Sequence, residues 1–164
     1  MNMGICLMLG NSSDDASNAA RKRWIGVLAR TDLDTLEDSY ATLSPLPKHA
    51  ILRKSETGLV MVRGRANGTG QKFNAGEMTV TRCSVRIPSG MVGHAYVAGR
   101  SRRHAELAAI FDALLQDPDH AAGIEDNLIA PSALALAEAR QLKQRKAAAT
   151  KVDFFTMVRG EDPA

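Results

Sequence analysis

The side chains best able to act on a ligand gather at Arg100-Ser101-Arg102-Arg103-His104. Three guanidiniums and an imidazole within five positions are suited to an anion, since guanidinium makes paired, charge-assisted hydrogen bonds to phosphate or carboxylate. A helix is predicted to begin at this point, and its first N–H groups would add to the attraction. Ser101 is placed to cap it. Asp112, Asp117 and Asp119 lie toward or just past the other end. That order of charge opposes the helix dipole by about 0.3–1 kcal/mol per exposed charge. The cluster is therefore a candidate contact for an anionic substrate or a neighbouring subunit. The competing reading is that the arginines are solvated or pair with acids elsewhere in an assembly.

Other reactive residue types do not assemble. His49, His94, His104 and His120 are scattered, and none has metal-ligand spacing to a cysteine or carboxylate. Cys6 and Cys83 form neither a CxxC pair nor a disulfide framework, which suits a reducing compartment. Asn67-Gly68-Thr69-Gly70-Gln71-Lys72 lacks the G-x-x-x-x-G-K-[ST] pattern and precedes a strand, so it is read as a hairpin loop whose glycines allow positive φ. No catalytic residue and no metal site are predicted. The pattern favours a basic subunit or binding module over a stand-alone enzyme.

The element that must carry the basic cluster belongs to a continuous stretch, Glu77 to Leu115. Glu77–Ile87 reads as a strand, with a phase slip in its apolar alternation that predicts a bulge near Thr81 and Arg82. Pro88-Ser89-Gly90 is a turn. Met91–Ala98 reads as a second strand with His94 and Tyr96 on one face, and Gly99 ends it. Leu107, Ile110, Phe111, Leu114 and Leu115 then form one helical apolar stripe.

Upstream, residues 1–15 are expected to be a disordered extension. A first helix spans Ala16–Arg30, with Trp24, the chain's only tryptophan, as a core or subunit-interface anchor. A second starts at Thr31 or Asp32 and stops before Pro45 and Pro47. Ala50–Ser55 and Leu59–Arg65 are expected to pair as a hairpin turning at Glu56-Thr57-Gly58. The run Leu59-Val60-Met61-Val62 is apolar on both faces, which suggests a central or doubly covered strand. Gly76 suggests a further turn.

Downstream, Asp117-Pro118-Asp119 breaks the chain, and Glu125–Ile129 reads as a short linker. A last helix runs from Pro131 to about Lys151, with Arg140, Lys143, Arg145, Lys146 and Lys151 against Glu138 on its exposed, basic side. That side is a solvated face, or it docks on an acidic partner or nucleic acid. It lacks the interleaved aromatics that stack on single strands, so nucleic acid is the lesser reading. The apolar tail at about 152–160, with Phe154, Phe155, Met157 and Arg159, either folds back on its own sheet or docks into another subunit.

At 164 residues and net charge +3, with no apolar run long enough to span a bilayer, the chain is expected to be one cytoplasmic α+β domain over residues 16–164. Its sheet is mainly antiparallel and built from hairpins. Helices precede the sheet, one follows the last strand, and a long one closes the chain.

The segments RKRWIGVLAR, ETGLVMVRGRANGTG, RCSVRIPSGMVGHAYVAGRSRRHAEL, NLIAP and KVDFFTMVRG together resemble the G subunit (PhnG) family of the bacterial carbon–phosphorus lyase system. The resemblance runs from Ala20 to Asp162. It implies a core complex with H, I and J subunits, acting with an L protein in phosphonate breakdown. In the implied reaction an alkylphosphonate replaces adenine at C1′ of ATP, giving a ribose 1-alkylphosphonate 5-triphosphate. ATP is then a co-substrate of the complex, with no cofactor in this chain. The family supplies no catalytic residue to carry over.

Overall fold

The computed structural model describes residues 12–66 and 69–150. Helices α1 (Ser12–Leu28) and α2 (Leu33–Ala41) precede three strands, β1 (Ala50–Arg65), β2 (Lys72–Arg86) and β3 (Val92–Ala98). Helix α3 (Arg102–Leu114) follows the sheet. A nearly continuous helical run then comprises α4 (Pro118–Ile124), a π-helical turn (Glu125–Ile129) and α5 (Ala130–Ala149). The sheet is antiparallel throughout, in the order β1-β2-β3. The fold is thus α+β, as expected, with helices before the sheet, one after its last strand and a long one further on.

Helix α3 is the centre of the packing. Every residue from Leu107 to Leu114 is buried. Ala105, Ala109 and Ala113 recur every four residues and are each fully buried, giving one side of the helix a flat, small-residue surface. Gly93 of β3 meets that surface. A Cβ at Gly93 would overlap the Ala109 carbonyl oxygen and stand 2.6 Å from the Ala113 nitrogen. Glycine is therefore required there, because only a missing side chain lets the strand lie this close. The predicted stripe, Leu107, Ile110, Phe111, Leu114 and Leu115, is buried too, within a core that includes Leu28, Leu36, Leu128 and Ile129. The molecule stacks as sheet, α3, then outer helices.

The β2–β3 turn is closed by Gly90 N–H donating to the Ile87 carbonyl at 2.9 Å, with Gly90 at φ +91°. Gly99, at φ +95°, ends β3 and donates to the Thr79 carbonyl at 2.9 Å.

Several local expectations are corrected. Residues 50–65 form one strand, not a hairpin. Glu56 pairs with Arg82, Thr57 with Thr81 and Gly58 with Val80, so the supposed turn lies inside the ladder. The Thr57 and Thr81 hydroxyls, 3.2 Å apart, join the two strands there. Gly76 is likewise within β2, opposite Val62. No bulge falls on β2 at Thr81–Arg82. The extra residues are on β1 between Ile51 and Glu56, and near Ala75 on β2. The apparent phase slip arose because Thr81, a polar residue, takes an inward position. Its hydroxyl donates to the Gly99 carbonyl at 2.8 Å, so it is buried without an unmet hydrogen bond.

Leu59–Val62 is neither central nor covered: β1 is an edge strand, and Leu59 is 64% exposed. Glu125–Ile129 is no linker but a π turn that buries Leu128 and Ile129. The first helix begins at Ser12, ahead of the expected Ala16.

Candidate functional site

The basic cluster sits at the start of α3 as expected, and its members divide. Ser101 caps the helix, its hydroxyl accepting the His104 N–H at 3.2 Å. The His104 ring bonds to the Leu28 carbonyl at 2.9 Å and so ties α3 to the end of α1. Arg103 lies 5.5 Å over the Tyr40 ring and reaches Glu37 of α2 at 3.4 Å. It also approaches Glu106 at 3.7 Å. These three residues position helices. Arg100 and Arg102 are exposed, and no ion pair involves either among the described residues. They are the two members of the cluster left open to a ligand.

The acids that oppose the dipole also resolve. Asp117 caps α4, accepting the Asp119 N–H at 3.3 Å. Asp112 is fully buried and receives four donors. Arg21 Nε donates to Oδ1 at 3.1 Å and Nη2 to Oδ2 at 2.7 Å. Trp24 Nε1 donates to Oδ1 at 2.9 Å, and the His94 backbone N–H to Oδ2 at 2.8 Å. Arg21 Nη2 also donates to the Val92 carbonyl at 3.0 Å, where the Gln116 amide donates too. One carboxylate thereby joins α1, β3 and α3. A buried charge is tolerable when paired and fully hydrogen-bonded. Trp24 packs against the core and uses its N–H internally. Sequence reasoning missed this knot, because Arg21 and Asp112 are 91 residues apart and nothing local links them.

Among the described residues the sheet face opposite α3 is uncovered and polar. Ser84 Oγ and His94 Nδ1 are 2.9 Å apart on it, and both residues are open to solvent. Arg82 Nε donates to Glu56 at 2.7 Å. Hydrogen bonding to Tyr96, then to Glu56, raises the Arg82 guanidinium above its already high range. Burial pushes the Cys83 thiol up on the inward face. His49 lies 3.7 Å from Glu106 and His120 3.4 Å from Asp117, so each of the four histidines has a different partner. No group of three or more His, Cys, Asp or Glu could hold a metal among the described residues. No helix among them is long and apolar enough to cross a membrane. Phe154, Phe155, Met157 and Arg159 lie outside the described residues.

The third exposed feature is the outer half of the β1–β2 hairpin. Leu59, Met61 and Phe73 are 64%, 53% and 51% exposed there. Arg63, Arg65 and Lys72 lie at its tip. A surface of exposed apolar residues beside cations that form no ion pair among the described residues suits contact with another macromolecule more than chemistry.

This α+β frame, with a structural core knot and outward-facing basic and apolar surfaces, is that of a protein built to join others. The family model described as "Phosphonate metabolism protein PhnG" matches residues 19–160, and the chain belongs to that family. It is 47% identical over 151 residues to a protein of Rhizobium meliloti (strain 1021), covering 92% of this chain and 96% of that one. That relative is named alpha-D-ribose 1-methylphosphonate 5-triphosphate synthase subunit PhnG.

Proposed function

We propose that this chain is an accessory, non-catalytic subunit of an alpha-D-ribose 1-methylphosphonate 5-triphosphate synthase. The complex transfers the ribose 5-triphosphate of ATP to an alkylphosphonate and releases adenine, in phosphonate catabolism. The observation that carries this reading is the 47% identity to a named synthase subunit along nearly the whole of both chains. The dispersal of His49, His94, His104 and His120 supports an accessory role. We assign the partners as H, I and J subunits with an L protein. ATP is a co-substrate of the complex, this chain holds no cofactor, and the cytoplasm is its compartment.

The reaction brings a triphosphate and a phosphonate dianion together, and prearranged cations lower the cost of that approach. Arg100 and Arg102, exposed at the start of α3, are our candidates to face the anionic substrate or an acidic neighbour; Ser101, Arg103 and His104 hold them there. The first test is co-expression of this chain with its partners and an assay for adenine release. A stoichiometric complex that loses activity when this chain is omitted is expected. Full activity without it contradicts the reading. In the assembled complex, Arg100→Gln with Arg102→Gln should raise KM for ATP or phosphonate about tenfold, a typical loss for one charged contact. Unchanged assembly, KM and rate remove the arginines from the site.

A further inference from the structure

β3 ends with Ala98 opposite Val80. Beyond that point Leu59–Arg65 of β1 and Lys72–Thr79 of β2 continue as a two-stranded arm. At 3.3 Å per residue the β1 side of the arm reaches about 23 Å. Both faces are open among the described residues. Leu59 and Met61 lie on one, Val62 and Met78 on the other, with Met78 43% exposed. A bare two-stranded ribbon is marginally stable in water, and natural edge strands are normally blunted by charge or covered. Among the described residues this one is neither along its apolar length.

The tip adds a second, independent signal. Arg65 and Lys72 are direct cross-strand partners, and Arg63 follows the same face at period two. Like charges in that position repel. No ion pair engages any of the three among the described residues, and Glu77 is the arm's one acid. Such repulsion is relieved by carboxylates from outside. We infer that the arm inserts into an apolar cleft on another subunit of the synthase, one whose inner end carries Asp or Glu side chains. A second copy paired arm to arm is the poorer occupant, because its arm brings the same excess of cations with only Glu77 against them. The inference rests on the subunit reading and names the surface that reading requires.

The test uses the full chain, tagged and co-expressed with the other synthase subunits, with dissociation constants then measured on purified components. One variant carries Leu59→Ser, Met61→Ser and Phe73→Ser. The other carries Arg63→Glu, Arg65→Glu and Lys72→Glu. The first should weaken assembly at least about thirtyfold, as loss of a central apolar anchor does. The second should weaken it about tenfold or more and reverse its salt dependence. Isolated variants should keep the wild-type circular dichroism and melting temperature, because the altered side chains are exposed. Equal assembly of wild type and both variants overturns the arm assignment and leaves the subunit reading intact. A wild-type chain that never assembles overturns both. A wild-type homodimer that the variants abolish, with partner binding unchanged, assigns the arm to a second copy and overturns the inference as stated.

Discussion

Helix α3 and the β1–β2 arm are both rich in apolar residues, and the molecule uses them in opposite ways. Leu107–Leu114 is closed on every side, by the sheet on one and by α1, α2 and α4 on the others. Leu59–Val62 is as apolar per residue and faces water. The difference lies in their neighbours. α3 has an alanine side that admits β3 at Gly93, and an acid that admits Arg21 and Trp24. Among the described residues the arm has no third strand after Ala98, so its apolar residues add nothing to the core those residues form. One region carries the stability of the chain, and the other its reason to associate.

The sharpest way to break this contrast is at the knot. Arg21→Met leaves the Asp112 carboxylate buried without its cation and should cost about 3–5 kcal/mol, as breaking a buried pair does. Denaturant unfolding should register a loss of that size; a change under about 1 kcal/mol would mean that Trp24 and the His94 N–H suffice for Asp112. Gly93→Ala comes next. It drives a methyl group into the α3 backbone and should cost about 2–3 kcal/mol, measured the same way. Ala98, at the exposed end of β3, is the matched control, and Ala98→Ser should be silent.

Cys83 gives a smaller, pH-dependent effect. Burial raises its thiol above the ordinary value of 9.0, so the folded chain retains the proton when the unfolded chain has released it. The stability from the protonated thiol is complete below pH 9.0 and declines as pH rises toward the higher folded value. Cys83→Ala should flatten that alkaline decline in a pH series of unfolding midpoints. Smallest of all, Leu59→Ser with Met61→Ser should move the stability of the isolated chain by no more than about 0.5 kcal/mol each. A loss above about 2 kcal/mol would mean that the arm packs on its own domain.

Much of this was legible in the chain. The apolar stripe of α3, the turn at Pro88–Gly90, the Ser101 cap and the antiparallel α+β plan follow from local periodicity and capping chemistry. What was not legible depended on distant partners. Glu56-Thr57-Gly58 has turn-forming residue types, yet Arg82 and Thr81 across the ladder hold it extended. The phase slip at Thr81 and Arg82 looked like a bulge, whereas Thr81 points inward in register and its hydroxyl donates to the Gly99 carbonyl. Leu59–Val62 looked buried because apolarity signals burial without saying in whose core. At the candidate site, sequence placed the arginines at a helix start. It could not separate Arg103, drawn to Tyr40 and Glu37, from Arg100 and Arg102.

Amide hydrogen exchange, on the isolated chain and again in the assembled synthase, tests the contrast most directly. Alone, the α3 amides from Leu107 to Leu114 should exchange only through global unfolding, and those of Leu59–Arg65 and Lys72–Thr79 within seconds to minutes. On assembly the arm amides should slow by about a hundredfold or more, with α3 little changed. An arm already as protected as α3 in the isolated chain, or equally fast to exchange inside the complex, would contradict the account.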